Sequence, residues 1–194
     1  MKLQVIVGST RPGRVTLRVA KWVAAAAKEM PDTEVELVDL ADYKLPFLDE
    51  PISPRYNPNR TPNPEAKRWL DKLAQADAFV VVTPEYNRSY SAVLKNAIDY
   101  VDFQMEQKPV ALVGHGSTGG AQAIAHLRGV LPGIQAVTVP SATFMLRAAD
   151  IIGEDGNLSA EAKANPYGPQ TALKQMLDST KWFSDALAAA RAKS

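Results

Sequence analysis

Three segments of this chain concentrate groups that could do chemistry, and each is a glycine- or proline-bearing turn. The first reads Gly8-Ser9-Thr10-Arg11-Pro12-Gly13-Arg14-Val15-Thr16. Ser9, Thr10 and Thr16 offer hydroxyls, and Arg11 and Arg14 offer planar cationic forks that match phosphate oxygens. Glycines let the backbone turn tightly, and a helix starting here would aim unpaired N–H groups at an anion. No carboxylate stands within the segment to oppose one. An anion site is therefore expected, in preference to an ordinary strand-to-helix turn. Gly8 and Gly13 nearly meet the P-loop pattern. Arg14 and Val15, however, occupy the positions that need Lys for phosphate and a hydroxyl for magnesium. A magnesium-dependent nucleotide hydrolase is disfavoured on that ground.

The second segment runs Thr83-Pro84-Glu85-Tyr86-Asn87-Arg88-Ser89-Tyr90-Ser91. Taken singly, each tyrosine reads as packing beneath a loop and Asn87 as a turn residue. As a unit, the rigid proline, the two aromatics and the amide suit a planar ring with polar edges. In the third segment, Gly114, Gly116 and Gly119 satisfy GxGxxG, but no acidic residue follows in Gln135–Pro140, where a dinucleotide fingerprint needs one. That loop is expected to form a backbone wall against which a flat ligand lies. Ser117 lacks the GxSxG setting of a hydrolase nucleophile. His115 is expected to make a loop or ligand-edge contact rather than to transfer protons. His126 reads as a helix-surface residue, and the two histidines form no metal motif.

These turns need elements to hold them. Apolar, β-branched runs at Leu3–Val7, Val35–Val38, Phe79–Val82, Val110–Val113 and Ala136–Val139 predict strands. Segments at Val15–Lys28, Glu65–Gln75, Ala92–Phe103, Gly120–Val130 and Gln170–Ala192 predict helices. Nearly continuous apolar runs suit strands covered on both faces, so the pattern predicts an open parallel α/β sheet with helices on both sides. In a sheet of order 2-1-3-4-5, the loops after strands one and three face each other across a crevice. Leu94, Ile98, Val101 and Met105 form an apolar stripe for the core or, as a second use, for a subunit face. The proline-rich stretch Lys44–Pro64 and the stretch Ser141–Pro169 read as long irregular connections.

The 194 residues carry 22 Lys+Arg against 21 Asp+Glu, a net charge of +1. That balance argues against a nucleic-acid or membrane-surface partner. The absence of cysteine excludes disulfides, thiolate catalysis and iron–sulfur clusters. The length predicts one domain over residues 1–194. The first apolar run is too short for a signal peptide and no segment reaches the ~20 apolar residues of a membrane span, so a cytoplasmic location is expected.

Together, Gly8-Ser9-Thr10-Arg11, Pro84-Glu85-Tyr86-Asn87 with Leu94-Lys95-Asn96, and the Gly116–Gly120 loop resemble the NAD(P)H-dependent FMN reductase family. That family comprises flavin, quinone, azo-dye and chromate reductases. The likeness runs through about residues 1–140 and more loosely to the last helix, with Pro84–Asn87 its most specific part. It implies a flavodoxin-like three-layer sandwich and FMN at the carboxyl edge of the sheet. It also implies NADPH or NADH as electron donor, a small-molecule acceptor, and a homodimer or dimer of dimers. On that footing Ser9, Arg11 and Thr16 would hold the FMN phosphate, with Arg14 capping it from outside or facing solvent. Pro84, Glu85, Tyr86 and Asn87 would line the isoalloxazine and ribityl chain, and Gly116 and Ser117 would close the other side. The family often has a small hydroxyl residue where Arg14 stands, and Asn where Thr16 stands.

On this reading the flavin carries the redox chemistry and no protein nucleophile is needed. Glu85 is expected to point away from the flavin pyrimidine, or to pair with an arginine, because a carboxylate there would oppose the charge of the reduced ring. Arg55, Arg60, Lys67 and Arg68 could meet the 2′-phosphate of NADPH, reach a partner subunit, or simply be solvated. The competing reading is a flavodoxin-like electron carrier without its own NAD(P)H activity. Such carriers are typically strongly acidic, and this chain is not.

Overall fold

The computed structural model describes residues 1–193. Along the chain run β1 (Lys2–Val7), α1 (Val15–Lys28), β2 (Glu34–Asp39), α2 (Pro64–Ala74), β3 (Ala78–Pro84) and α3 (Ala92–Asp99). They are followed by β4 (Pro109–Gly116), α4 (Ala121–Val130), β5 (Val137–Leu146), α5 (Ala148–Ile151), α6 (Ala160–Ala164) and α7 (Pro169–Arg191). The strands form one sheet in the order β2-β1-β3-β4-β5, with every pairing parallel. Neighbouring residues of a strand feed opposite cores. Val80 and Val82 pack with α1 and α7, whereas Phe79 and Val81 pack with α2, α3 and α4. Two-sided burial is why the central strands read as unbroken apolar runs.

β5 is longer than its apolar run. Val110 pairs with Thr138 but Leu112 with Ala142, so residues 139–141 bulge out of register. Pro140, which has no N–H to donate, sits in that bulge. The expected loop at 141–169 is thus the second half of β5 followed by the short helices α5 and α6. Conversely, α3 stops at Asp99, short of Phe103. Leu94, Ile98, Val101 and Met105 are all buried, so that stripe is core and not a subunit face.

The proline-rich arm before α2 is fastened at both ends. Asn96 donates to the Pro46 carbonyl at 2.6 Å and accepts from the Leu48 N–H at 3.1 Å. The Arg60 guanidinium takes both Glu50 oxygens at 2.7 and 2.8 Å and Asp102 at 2.8 Å, with only 6% of its side chain exposed. Arg55 donates to the Asp102 carbonyl and pairs with Glu106. Neither arginine is left to meet a nucleotide phosphate, nor is either solvated. Lys67 and Arg68 pair with Asp71 and Glu65 on their own helix. Among the described residues, no helix is long and apolar enough to cross a membrane.

Candidate active site at the carboxyl edge of the sheet

The loops after β1, β3 and β4 meet at one end of the sheet: the loop after β3 touches the other two, and the start of α1 touches the end of β4. The Gly8 N–H donates to the Val82 carbonyl at 2.8 Å, and the Ser91 hydroxyl donates to the Gly8 carbonyl at 2.5 Å. A Cβ on Gly8 would lie 2.7 Å from the Val82 oxygen, so only glycine fits. Ser9 Oγ, almost fully buried, is 3.2 Å from the Tyr86 hydroxyl. Thr16 Oγ1 is 2.9 Å from His115 Nε2, and the Glu85 N–H donates to the His115 carbonyl at 2.8 Å.

One end of this cluster suits an anion. Among the helices that follow β1, β3 and β4, α3 is capped by Ser91, whereas α1 has no side-chain cap and no acid in its first turn. Its positive end and unpaired N–H groups are left bare. Arg11 is exposed beside that end, has no carboxylate partner among the described residues, and lies 6.0 Å from the Tyr86 ring centroid. Arg14 behaves otherwise. It forms an ion pair with Asp39 at the end of β2 and is largely buried, so it does not face solvent. The loop itself has no acid, but the neighbouring strand delivers one. Thr16 also departs from expectation, since it is fully buried and its hydroxyl is engaged by His115 beneath the loop. Burial pushes the His115 pKa from 6.5 down to about 4, so the ring is neutral at neutral pH.

The other end is flatter and less charged. Tyr86 and Ser89 exchange both backbone hydrogen bonds around Asn87 (φ 49°) and Arg88 (φ 67°), a type I′ turn. Asn87 is thus the turn residue that a left-handed position favours, with its side chain at the surface. Pro84 closes β3, buried opposite His115. The Glu85 carboxylate is only 6% exposed and turns toward α4. It accepts from the Thr118 hydroxyl at 2.7 Å and the Gln122 N–H at 3.0 Å, with Arg88 at 3.8 Å. Burial acts to raise the Glu85 pKa, but the Thr118 hydroxyl, the Gln122 N–H, the Arg88 charge and the Ala123 N–H outweigh it and hold it below the ordinary value. The main partners are therefore a hydroxyl and helix amides, with the expected arginine only third. His126 lies at the surface as expected, its Nδ1 3.0 Å from Ser89 Oγ.

The glycines of the third loop pack closely against the protein. A Cβ on Gly120 would lie 2.5 Å from Gly114, and one on Gly119 would lie 3.0 Å from Leu146. These two glycines let the protein pack on itself. Gly116 (φ 152°) backs onto Glu85, leaving exposed Ser117 as the loop's outward polar group.

Residues 1–150 match the family described as NADPH-dependent FMN reductase. This chain belongs to that family. An NAD(P)H-dependent FMN reductase of Schizosaccharomyces pombe is 38% identical over 145 residues, 73% of this chain and 72% of that protein. A 2-hydroxy-1,4-benzoquinone reductase of Burkholderia sp. is 31% identical over 171 residues, 83% and 87% of the two chains. In three dimensions the FMN reductase fold of this chain matches a flavoenzyme NAD(P)H:(acceptor) oxidoreductase of Paracoccus denitrificans. That TM-score is 0.66, with 27% identity and 97% of each chain covered.

The residues present fit FMN. A bare helix end, an unpaired arginine and a serine hydroxyl provide for a phosphate, and an adjoining aromatic turn provides for a ring.

Proposed function

We propose that this FMN reductase family member oxidises NADPH or NADH and passes two electrons to a small aromatic acceptor, a quinone or azo compound. The observation that carries the reading is the uncapped start of α1 beside unpaired Arg11, joined through Ser9 to Tyr86 of the second loop. Ser9, Arg11 and the first N–H groups of α1 hold the phosphate of FMN. Pro84, Tyr86 and the surface side chain of Asn87 line its ring and ribityl chain, and Gly116 and Ser117 stand on the far side. Bound FMN supplies the chemistry of hydride acceptance and electron release. The chain's own residues bind and orient. Thr16 and neutral His115 brace the phosphate loop from beneath, Arg14 ties it to β2, and Glu85 joins the second and third loops. The relative from Burkholderia supports a quinone acceptor. A homodimer agrees with the large apolar side chains left in solvent near the arm and α3, namely Phe47, Tyr56, Val93 and Phe103.

Anaerobic addition of NADPH or NADH to FMN-loaded protein tests the reading. Loss of the flavin's visible absorption, restored by a quinone, is expected. A flavin that stays oxidised with either nucleotide would leave the electron-carrier reading in its place.

A further inference from the structure

The carboxylate of Glu85 occupies an unusual position for an acid beside a redox site. It is nearly buried, yet no lysine or arginine neutralises it closely, since Arg88 stands at 3.8 Å with 72% of its side chain exposed. Its partners are the Thr118 hydroxyl and the N–H groups of Gln122 and Ala123, the second and third residues of α4. α4 has Gly120 as its own N-cap, which contributes no side-chain hydrogen bond, and its first turn holds no acid. The cap is delivered from the loop after β3. A carboxylate there satisfies orphan amides and offsets the partial positive charge of the helix end. Two helix ends at the same sheet edge are thus treated oppositely. α1 is left bare for the permanent charge of a phosphate. α4, which starts behind the ring-lining loop, is closed by the protein's own anion.

We propose that Glu85 is a positioning residue that both locks the second loop to the third and sets the electrostatics of the ring end, by cancelling α4's positive end so that this helix does not favour the extra negative charge of reduced FMN. The proposal rests on the FMN reading above. Glu85→Gln keeps the side chain's shape and a carbonyl acceptor but removes the charge, which uncovers the helix end. Thr118→Ala keeps the charge and removes one donor that tempers it. The two variants act on the ring end with opposite sign.

The test is the dissociation constant of oxidised and of reduced FMN, measured anaerobically on the full chain, together with the midpoint potential of the bound flavin. E85Q is expected to tighten reduced relative to oxidised FMN by about threefold or more, raising the potential, as uncovering one helix end implies. T118A is expected to move that ratio the other way. An unchanged ratio in E85Q, or a rise in both variants, overturns the proposal. Should E85Q not fold, T118A decides, because an unchanged or raised ratio there is fatal. Wild-type protein that binds FMN while the ratio ignores Glu85 sinks only this proposal. Wild-type protein that binds no FMN in either state sinks the underlying reading as well.

Discussion

Arg11 and Arg14 sit three positions apart on one loop and do different work. Arg11 has no acidic partner among the described residues and stands exposed beside Tyr86, so its charge is available to a ligand. Arg14 is held by Asp39, and its Nε is buried without a partner. Arg11→Ala is expected to raise the FMN dissociation constant about tenfold, as befits loss of one charge-assisted contact, with the unfolding midpoint unmoved. Arg14→Ala is expected to cost about 2 kcal/mol of stability by stranding a half-buried Asp39. Calorimetric FMN titration and urea unfolding of both variants separate the two roles. His115 adds a pH dependence. Its folded pKa of about 4 lies below the ordinary 6.5, so the unfolded chain binds the proton more readily. Its contribution is complete above pH 6.5 and is lost as pH falls toward 4. Between pH 7 and 4.5 the loss is about 2–3 kcal/mol, and His115→Gln should flatten that part of the urea-stability profile. Among single residues, the sequence made legible that the turns after β1 and β3 meet, and Ser9 and Arg11 do lie against Tyr86. It was illegible where a partner arrives from far along the chain, as Asp39, His115 and Gln122 do.

Among the elements, α4 and its leading loop show how close packing replaces nucleotide binding as the reason for a glycine pattern. Gly120 has φ 82°, and a Cβ there would meet backbone atoms of Gly114 and His115 at 2.5 Å, none of which can swing aside. Gly120→Ala is expected to destabilise the fold by more than about 3 kcal/mol. Gly129, inside the same helix with open space around it, provides the control, since Gly129→Ala should stabilise by about 0.5–1 kcal/mol. Thermal unfolding of the pair checks both signs. β1, β3 and β4 could be read from the chain because both their faces are buried, which leaves no polar alternation to confuse the pattern. β5 could not be read to its end. Pro140 looks like a terminator, and beyond it Thr143 and Met145 are buried while Phe144 and Leu146 are exposed, an alternation diluted by Ser141 and Thr143. The short helices α5 and α6 lack an amphipathic period long enough to announce them.

For the whole molecule, the surface around the arm and α3 is where self-association is expected. Phe47 is 83% and Tyr56 80% exposed, far more than a solitary chain needs. Light scattering should give a mass twice the chain's 21.0 kDa, and the double variant Phe47→Asp, Tyr56→Asp should shift it toward a single copy. A monomer at micromolar concentration would reject the dimer. How such copies join is constrained by the rims of the sheet. On one rim, β5 carries a bulge holding Pro140, which has no N–H to donate and whose carbonyl Arg128 covers. On the other rim, β2 presents Glu34 and Glu36, bridged to Lys2 and Lys72. Neither rim offers a clean template for another strand. Strand-by-strand polymerisation is thereby discouraged, and contact between copies is expected through the helices and the proline-rich arm, outside the plane of the sheet.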